Sequence, residues 1–313
     1  MCRRGCLRCL CRSTSGSTGA RRRRKTAVQQ TEKAPLAVPA VPNHAPDLSI
    51  IIPVYRAQDT LSRALSSIEV PPGLSAEIIL SIDDGDDYVA FAAENPVVRL
   101  INSAAQRTGP GPARNRGVAA ARGAFLAYLD ADDSWSPGYL AALLPLAQHE
   151  GCAFAATVIE ARDGRMMQQF PPGEPRRLML SDFARWGASF HPVHAAGLPR
   201  GSAAGPFWNA PAQDVMHAVE VFMACGLTAA LENRVAYRVR LGAETVTTAR
   251  DFPARLRSAY AAYDVALAET WAQTLFAEKS ALNDRYERER QAGESFYAFV
   301  ARVIVPAASS ASD

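Results

Sequence analysis

The chain has 313 residues, 48% hydrophobic and 21% charged, a composition that fits a globular protein and excludes collagen, coiled-coil and wholly disordered chains. No apolar run reaches the ~18 residues a membrane-spanning helix needs. The net charge of +3 hides an asymmetry: residues 1–46 carry ten Lys or Arg against one acid, Glu32, so they contribute +9 and the rest of the chain −6. Lysine is confined to Lys25, Lys33 and Lys279, so the body has no phosphate-binding loop ending in Gly-Lys-Ser/Thr and no Schiff-base lysine at its centre. Any anion it handles is expected to meet arginine, backbone N–H groups or a metal.

Residues 1–46 hold Cys2, Cys6, Cys9 and Cys11, the basic block from Arg21 to Lys25 and a Pro/Ala/Val run, without hydrophobic periodicity. They are expected to be a disordered tail. Cys6 and Cys9 lack a second pair at zinc-finger spacing. An Arg-rich, acid-poor start offers peripheral contact with an anionic membrane, while a dispensable or mis-assigned start is the plainer explanation. No apolar stretch of the kind a secretory signal needs follows the arginines, which suits a cytoplasmic protein. Cys152 and Cys225 sit in apolar surroundings, as core thiols in a reducing compartment do.

From residue 47 strands and helices alternate. Residues 48–54 are nearly all apolar and β-branched, the signature of a strand covered on both faces. Leu61, Ala64, Leu65 and Ile68 recur at helical spacing, with Asp59 or Thr60 as cap. Residues 76–82 predict a second strand and 97–101 a third. The next helix has Pro112 in its first turn and Gly123 just past its end. Residues 124–129 form a fourth strand that runs into Asp130-Ala-Asp-Asp133, Ser136-Pro137 opens a helix to about His149, and 152–159 make a fifth strand. This order implies an α/β fold with an open, mostly parallel sheet and a ligand crevice beyond the carboxyl ends of its strands. After residue 160 the pattern weakens to a helix over 215–224 and a strand over 235–240. Residues 251–290 predict one or two helices with Leu256, Tyr260, Tyr263, Leu267, Trp271 and Leu275 on an apolar stripe.

The polar clusters lie at those strand ends. Asp130, Asp132 and Asp133 concentrate negative charge on one turn, which a hard divalent cation shared with substrate phosphates would relieve; solvated Asp-rich turns also exist. Asp83-Asp84-Gly85 ends the second strand and can hydrogen-bond a base or ribose, or simply turn. The run from Gly109 to Gly117 lacks the dinucleotide-binding pattern, but Arg114 and Arg116 near a helix start suit phosphate or carboxylate.

Together, Ser49-Ile-Ile-Ile-Pro-Val-Tyr55, Asp83-Asp84-Gly85, Ala113-Arg-Asn-Arg-Gly117 with Ala121-Arg-Gly123, and Tyr128-Leu-Asp-Ala-Asp-Asp133 resemble the ordered signatures of family 2 glycosyltransferases with the GT-A fold. The resemblance is strong over 47–150 and looser over 190–250. It implies a nucleotide-sugar donor, Mn²⁺ or Mg²⁺, and inversion at the anomeric carbon. It implies a donor-binding half over 47–150, an acceptor half over 151–250 and a helical extension over 251–313. Pro53, Val54 and Tyr55 would wall the base and ribose pocket, and Asp84 would bind the base, most often uracil. Asp130 and Asp132 would be the Asp-x-Asp pair, one on ribose and one on the metal, with Asp133 as helper and Arg114 toward the diphosphate. Asp214 would be the general base.

Two positions depart from the family pattern. Gln213 stands where Glu is common, leaving Asp214 as base or as a helix cap. Arg240 stands where His is common, so it can meet phosphate but not hold metal. His191 and His194, Trp186 and Trp208 are candidates for acceptor contact or core. The segment from Asp182 to Trp186 lacks the Gln of processive synthases, which favours transfer of one sugar; the resemblance implies a glycan or lipid-linked acceptor in surface glycan synthesis, and the basic excess, confined to the tail, does not argue for nucleic acid. A nucleotidyltransferase and a catalytically degenerate nucleotide-sugar-binding domain stay open as alternatives.

Overall fold

Leu48–Val54 forms strand β1, buried on both faces except at Pro53, as its apolar sequence requires. The structure is a computed structural model and describes residues 45–161, 163–170, 174–184, 188–198, 207–242, 246–267 and 270–304; the expectations for residues 1–44, for Trp186 and for the Trp271 side chain lie outside what it describes. After β1 come helix α1 (Leu61–Ser66), β2 (Ala76–Ile82), α2 (Val89–Glu94), β3 (Val98–Asn102), α3 (Pro110–Ala120) and β4 (Phe125–Tyr128). The expected cap of α1 is corrected: Thr60 is the N-cap residue, but its hydroxyl bonds the Ala57 carbonyl rather than the helix.

Parallel pairing of β1 with β2 on one side and β4 on the other sets Ile51 between Ile79 and Tyr128. The first three strands and β4 therefore end side by side, and the loops after them share one edge of the sheet. Further along come β5 (Ser134–Trp135), α4 (Tyr139–Glu150), β6 (Cys152–Glu160), β7 (Met166–Phe170), β8 (Arg176–Arg177), α5 (Leu180–Ala184) and β9 (Val193–Ala195). Then follow α6 (Gln213–Ala224), β10 (Ala230–Arg240), α7 (Phe252–Leu267), α8 (Thr270–Glu289) and α9 (Phe296–Val303). The sheet order is β3-β2-β1-β4-β9-β6-β10-β5, with β7 on β6 and β8 on β10. Short β9 lies antiparallel between β4 and β6, so β6 does not extend β4 directly. The strand expected over 235–240 is longer, starting at Ala230, because 230–232 also pair with β6.

Two apolar clusters fill the layers. One joins the sheet to α1 and α4 through Ile50, Ile52, Leu80, Leu129 and Leu143. The other joins β6 and α6 to the three C-terminal helices through Phe154, Phe222, Leu256, Tyr263, Tyr286 and Phe299. The end of the sheet away from the crevice is closed by polar contacts. The Ser49 hydroxyl donates to Glu77 (2.8 Å) and accepts the Gly123 N–H (2.8 Å), while Arg122 and Arg99 pair with the same glutamate. A Cβ on Gly123 would stand 2.4 Å from the Ser49 nitrogen, and one on Gly117 would stand 2.5 Å from an Ile51 methyl. Close approach, rather than ligand binding, demands both glycines.

Candidate functional site

At the ends of β1 and β2 two loops clasp one another. Asp84 accepts the Arg56 N–H, the Asp86 N–H (3.0 Å) and the Tyr88 hydroxyl (2.8 Å). Burial raises its carboxyl, but these donors outweigh it and hold it below its ordinary value. A carboxylate has about four acceptor sites, so Asp84 retains room for roughly one more donor. Tyr55 projects from this rim, 45% exposed, whereas Val54 is fully buried in the core. The expectation that Val54 walls a pocket is therefore corrected: its side chain supports the crevice from below, with Pro53 half-buried beside it.

Asp83 and Arg116 do not serve the crevice as free groups. Asp83, 3% exposed, accepts the Thr108 hydroxyl (2.5 Å), the Gly109 N–H (2.9 Å) and the Arg116 guanidinium (2.7 Å). It turns inward because Thr108 and Gly109, just before α3, and Arg116 within α3 meet it there. Arg116, considered above for phosphate, is committed to this staple.

The end of β4 carries the densest charge. Asp130 pairs with Arg114, lies 3.9 Å from His191 Nε2, and donates its backbone N–H to the Tyr237 hydroxyl (2.9 Å). Burial pushes the Asp130 carboxyl up, but Arg114 and then His191 overcome this and hold it low. Asp132 is exposed toward the crevice, yet the surrounding protein and the Asp130 charge push its carboxyl up to about 6. Asp133 is buried, accepts the Arg240 N–H (2.9 Å), and is raised by burial and its two neighbours; its carboxylate braces β10 against the turn. Arg63, which the sequence reading missed, reaches across from α1 to the Asp132 carbonyl and the Ser134 hydroxyl.

These carboxylates suit a divalent cation of one kind. Among the described residues no group of three or more His, Cys, Asp or Glu side chains converges into a cage. Exposed Asp132 beside Asp130 is a sparse, hard-oxygen donor set, which fits Mg²⁺ or Mn²⁺ when phosphate oxygens complete the shell.

Arg114 links this turn to the other side of the site. Its side chain is 1% exposed, and its guanidinium interacts with Asp130 first and with Asp214 next. Its Nε and one terminal nitrogen are buried without a protein partner. The His191 ring stacks on Tyr237, centroids 4.3 Å apart, and burial lowers its imidazole, partly offset by Asp130. His194, by contrast, is a core histidine bonded to the Ala195 carbonyl and the Tyr128 hydroxyl. Trp208 packs edge-on against Tyr263 at 5.3 Å, so it braces the helices.

Asp214 lies in the first turn of α6, whose N-cap is Ala212 in a left-handed conformation without a side-chain cap. The helix-cap role considered above is therefore not the one its carboxylate plays. Asp214 instead lines a cavity of about 690 Å³ bounded by the loop before α3, the start of α6 and helices α7 to α9. Lys279, from α8, lines the same cavity, and its ammonium interacts with Asp214. Anions were expected to meet arginine, backbone N–H groups or a metal; the structure adds the body's one lysine beside Asp214, brought there by α8, which packs on α7.

Residues 49–203, about half the chain, match Glycosyl transferase family 2. The succinoglycan biosynthesis protein ExoO of Rhizobium meliloti is 34% identical over 145 residues, 45% of this chain and 41% of that protein. A GalNAc(5)-diNAcBac-PP-undecaprenol beta-1,3-glucosyltransferase of Campylobacter jejuni is 30% identical over 132 residues, 40% of this chain and 42% of that one. The match thus spans less than half the length of either relative. The crystal structure of S. aureus TarS 1-349 in complex with UDP-GlcNAc shares the fold, with a TM-score of 0.58 at 15% identity over 78% of this chain and 74% of that chain.

Proposed function

Residues 49–203 belong to glycosyl transferase family 2, and from that premise we propose that the chain is an inverting, metal-dependent glycosyltransferase. It moves one sugar from a nucleotide-diphosphate donor, UDP-linked, to a hydroxyl of a glycan or lipid-linked acceptor in surface glycan synthesis, working at the cytoplasmic side of a membrane. The observation that carries this reading is Arg114: one buried guanidinium interacts with Asp130 at the end of β4 and with Asp214 at the start of α6, so donor-side and acceptor-side carboxylates share a charge centre.

In this reading Tyr55 offers a face for the uracil, and Asp84 spends its remaining acceptor capacity on the base. Asp130 and Asp132 would hold Mn²⁺ or Mg²⁺, which when bound supplies Lewis-acid stabilisation to the departing diphosphate. The unpartnered Arg114 nitrogens find acceptors on the donor, since leaving them unmade in the core is costly. The acceptor oxygen attacks the anomeric carbon from the side of Asp214, the bond to the diphosphate oxygen breaks with its electron pair, and the hydroxyl proton passes to the Asp214 carboxylate.

Two measurements test this. UDP with Mn²⁺ is expected to raise the melting temperature, UDP with chelator much less, and Asp132→Ala to lose the metal-dependent part; stabilisation by nucleoside triphosphates alone would favour the nucleotidyltransferase alternative. Asp214→Asn should keep the UDP effect while donor turnover falls by roughly 10²–10⁴, the usual worth of a general base. Turnover that survives this change would remove Asp214 from the mechanism.

A further inference from the structure

The cavity beside Asp214 carries a charge pattern that the proposed chemistry does not use. Asp214 is the single acid among its lining residues, against Lys279, Arg107 and Arg255. Helix α6 also begins at it, at Gln213, without a side-chain cap, so its free N–H end adds positive potential. Lys279 is 3% exposed, with its ammonium 4.5 Å from the centre of the Phe190 ring. Taking an ammonium out of water is costly, and an anion arriving on the cavity side offsets part of that cost.

The remaining walls suit a sugar ring. Phe252, Leu256 and Phe296 provide apolar surface. Gln213, 5% exposed, also lines the cavity and has its Oε1 without a partner, a place for a hydroxyl donor. The volume lies within the ~300–1,000 Å³ typical of small-ligand sites.

We propose that this cavity is the acceptor subsite and that Lys279 makes it selective for an acceptor sugar carrying an anionic group, a carboxylate or a phosphate. The proposal rests on the glycosyltransferase reading, which makes Asp214 face an acceptor. The donor diphosphate is not the anion meant, because it belongs at Asp130 and Asp132, which do not line this cavity.

The test uses the full chain. Lys25, Lys33 and Lys279 are its only lysines, so reductive ¹³C-methylation gives at most three lysine signals, and Lys279→Met assigns the third. The protein is titrated with glucuronate, glucose 6-phosphate and glucose, following that signal together with binding by calorimetry. At least one charged sugar is expected to shift the Lys279 signal saturably and to bind roughly tenfold more tightly than glucose, the worth of one charge-assisted contact. A stronger response to glucuronate identifies a carboxylate acceptor, and a stronger response to glucose 6-phosphate a phosphorylated one. Lys279→Met should abolish the preference for charge, with UDP stabilisation as the control for its fold. Equal binding of glucose and the charged sugars, no response to any of them, or a variant that keeps the preference would overturn the proposal. Wild-type protein that fails to respond to UDP would count against the glycosyltransferase reading, while charge selectivity at Lys279 stays readable without it.

Discussion

Lys279 loses its water in the core, and burial brings its ammonium down to about 7 while Asp214 and Glu278 act in the opposite sense. Its folded value lies below the ordinary 10.5, so between these values the unfolded chain binds more protons and stability rises with pH. Below about 7 both states are protonated and the full penalty stands. Each unit of the shift is worth about 1.4 kcal/mol. Lys279→Met is therefore expected to melt a few degrees higher than the wild type at pH 7 and to lose the rise toward pH 10; an unchanged slope would show that the ammonium is not desolvated in the folded protein. Asp84, Asp130, Asp132 and Asp214 were singled out in the sequence through the family resemblance, which marks positions and not contacts. The resemblance marked Asp84 rather than Asp83 for the base; what the sequence did not show is that Thr108, Gly109 and Arg116 hold Asp83 inward. Lys279 was illegible for a related reason: nothing near it in sequence hints that α8 returns to Asp214.

The elements that carry the site follow directly from the sequence where apolar runs are unambiguous. β1 and β2 have the expected limits because seven consecutive residues each are buried or nearly so. The short pieces β5, β8 and β9 had no such signal, being two or three residues long and defined by partners rather than by pattern. One family signature changes meaning at this scale. Residues Ala121, Arg122 and Gly123 lie at the end of the sheet away from the crevice, where Arg122 pairs with Glu77 (2.9 Å) and the Gly123 N–H reaches Ser49. Their service is to dock α3 under β1. Gly123→Ala puts a methyl into backbone and is expected to cost about 1–3 kcal/mol, the usual range for overpacking, read as a lower denaturation midpoint. At temperatures where the variant is folded, its UDP affinity should match the wild type. A selective loss of UDP binding at full stability would instead make this segment part of the donor site.

On the scale of the whole molecule, the C-terminal helices share a core with the half that carries Asp214. Leu256, Tyr260, Tyr263, Phe276 and Phe299 pack in one cluster with Val215, Val219 and Phe222 of α6, and the Tyr263 hydroxyl bonds the Pro211 carbonyl (2.8 Å) in the loop that leads into that helix. The apolar stripe from Leu256 to Leu275 was plain in the sequence, but a stripe records that a face is covered, not what covers it. Here Tyr260 and Tyr263 of the stripe meet Phe276 of α8, and the core these helices share with α6 has a consequence for the site, because α7, α8 and α9 line the cavity and Tyr263 bonds the loop before the turn that presents Asp214. A chain ended at residue 250 would keep the motifs matched to the family and lose this cover, exposing the α6 face and the aromatic rings beneath it. Burial of each large side chain is worth roughly 1.5–3 kcal/mol, and several are lost at once against a total stability of about 5–15 kcal/mol. The truncated chain is therefore expected to show no cooperative thermal transition and to aggregate or bind ANS, with donor turnover absent. A truncated protein that melts sharply and hydrolyses donor at the wild-type rate would show that the helices are an appendage, and that Asp214 is held by the sheet alone.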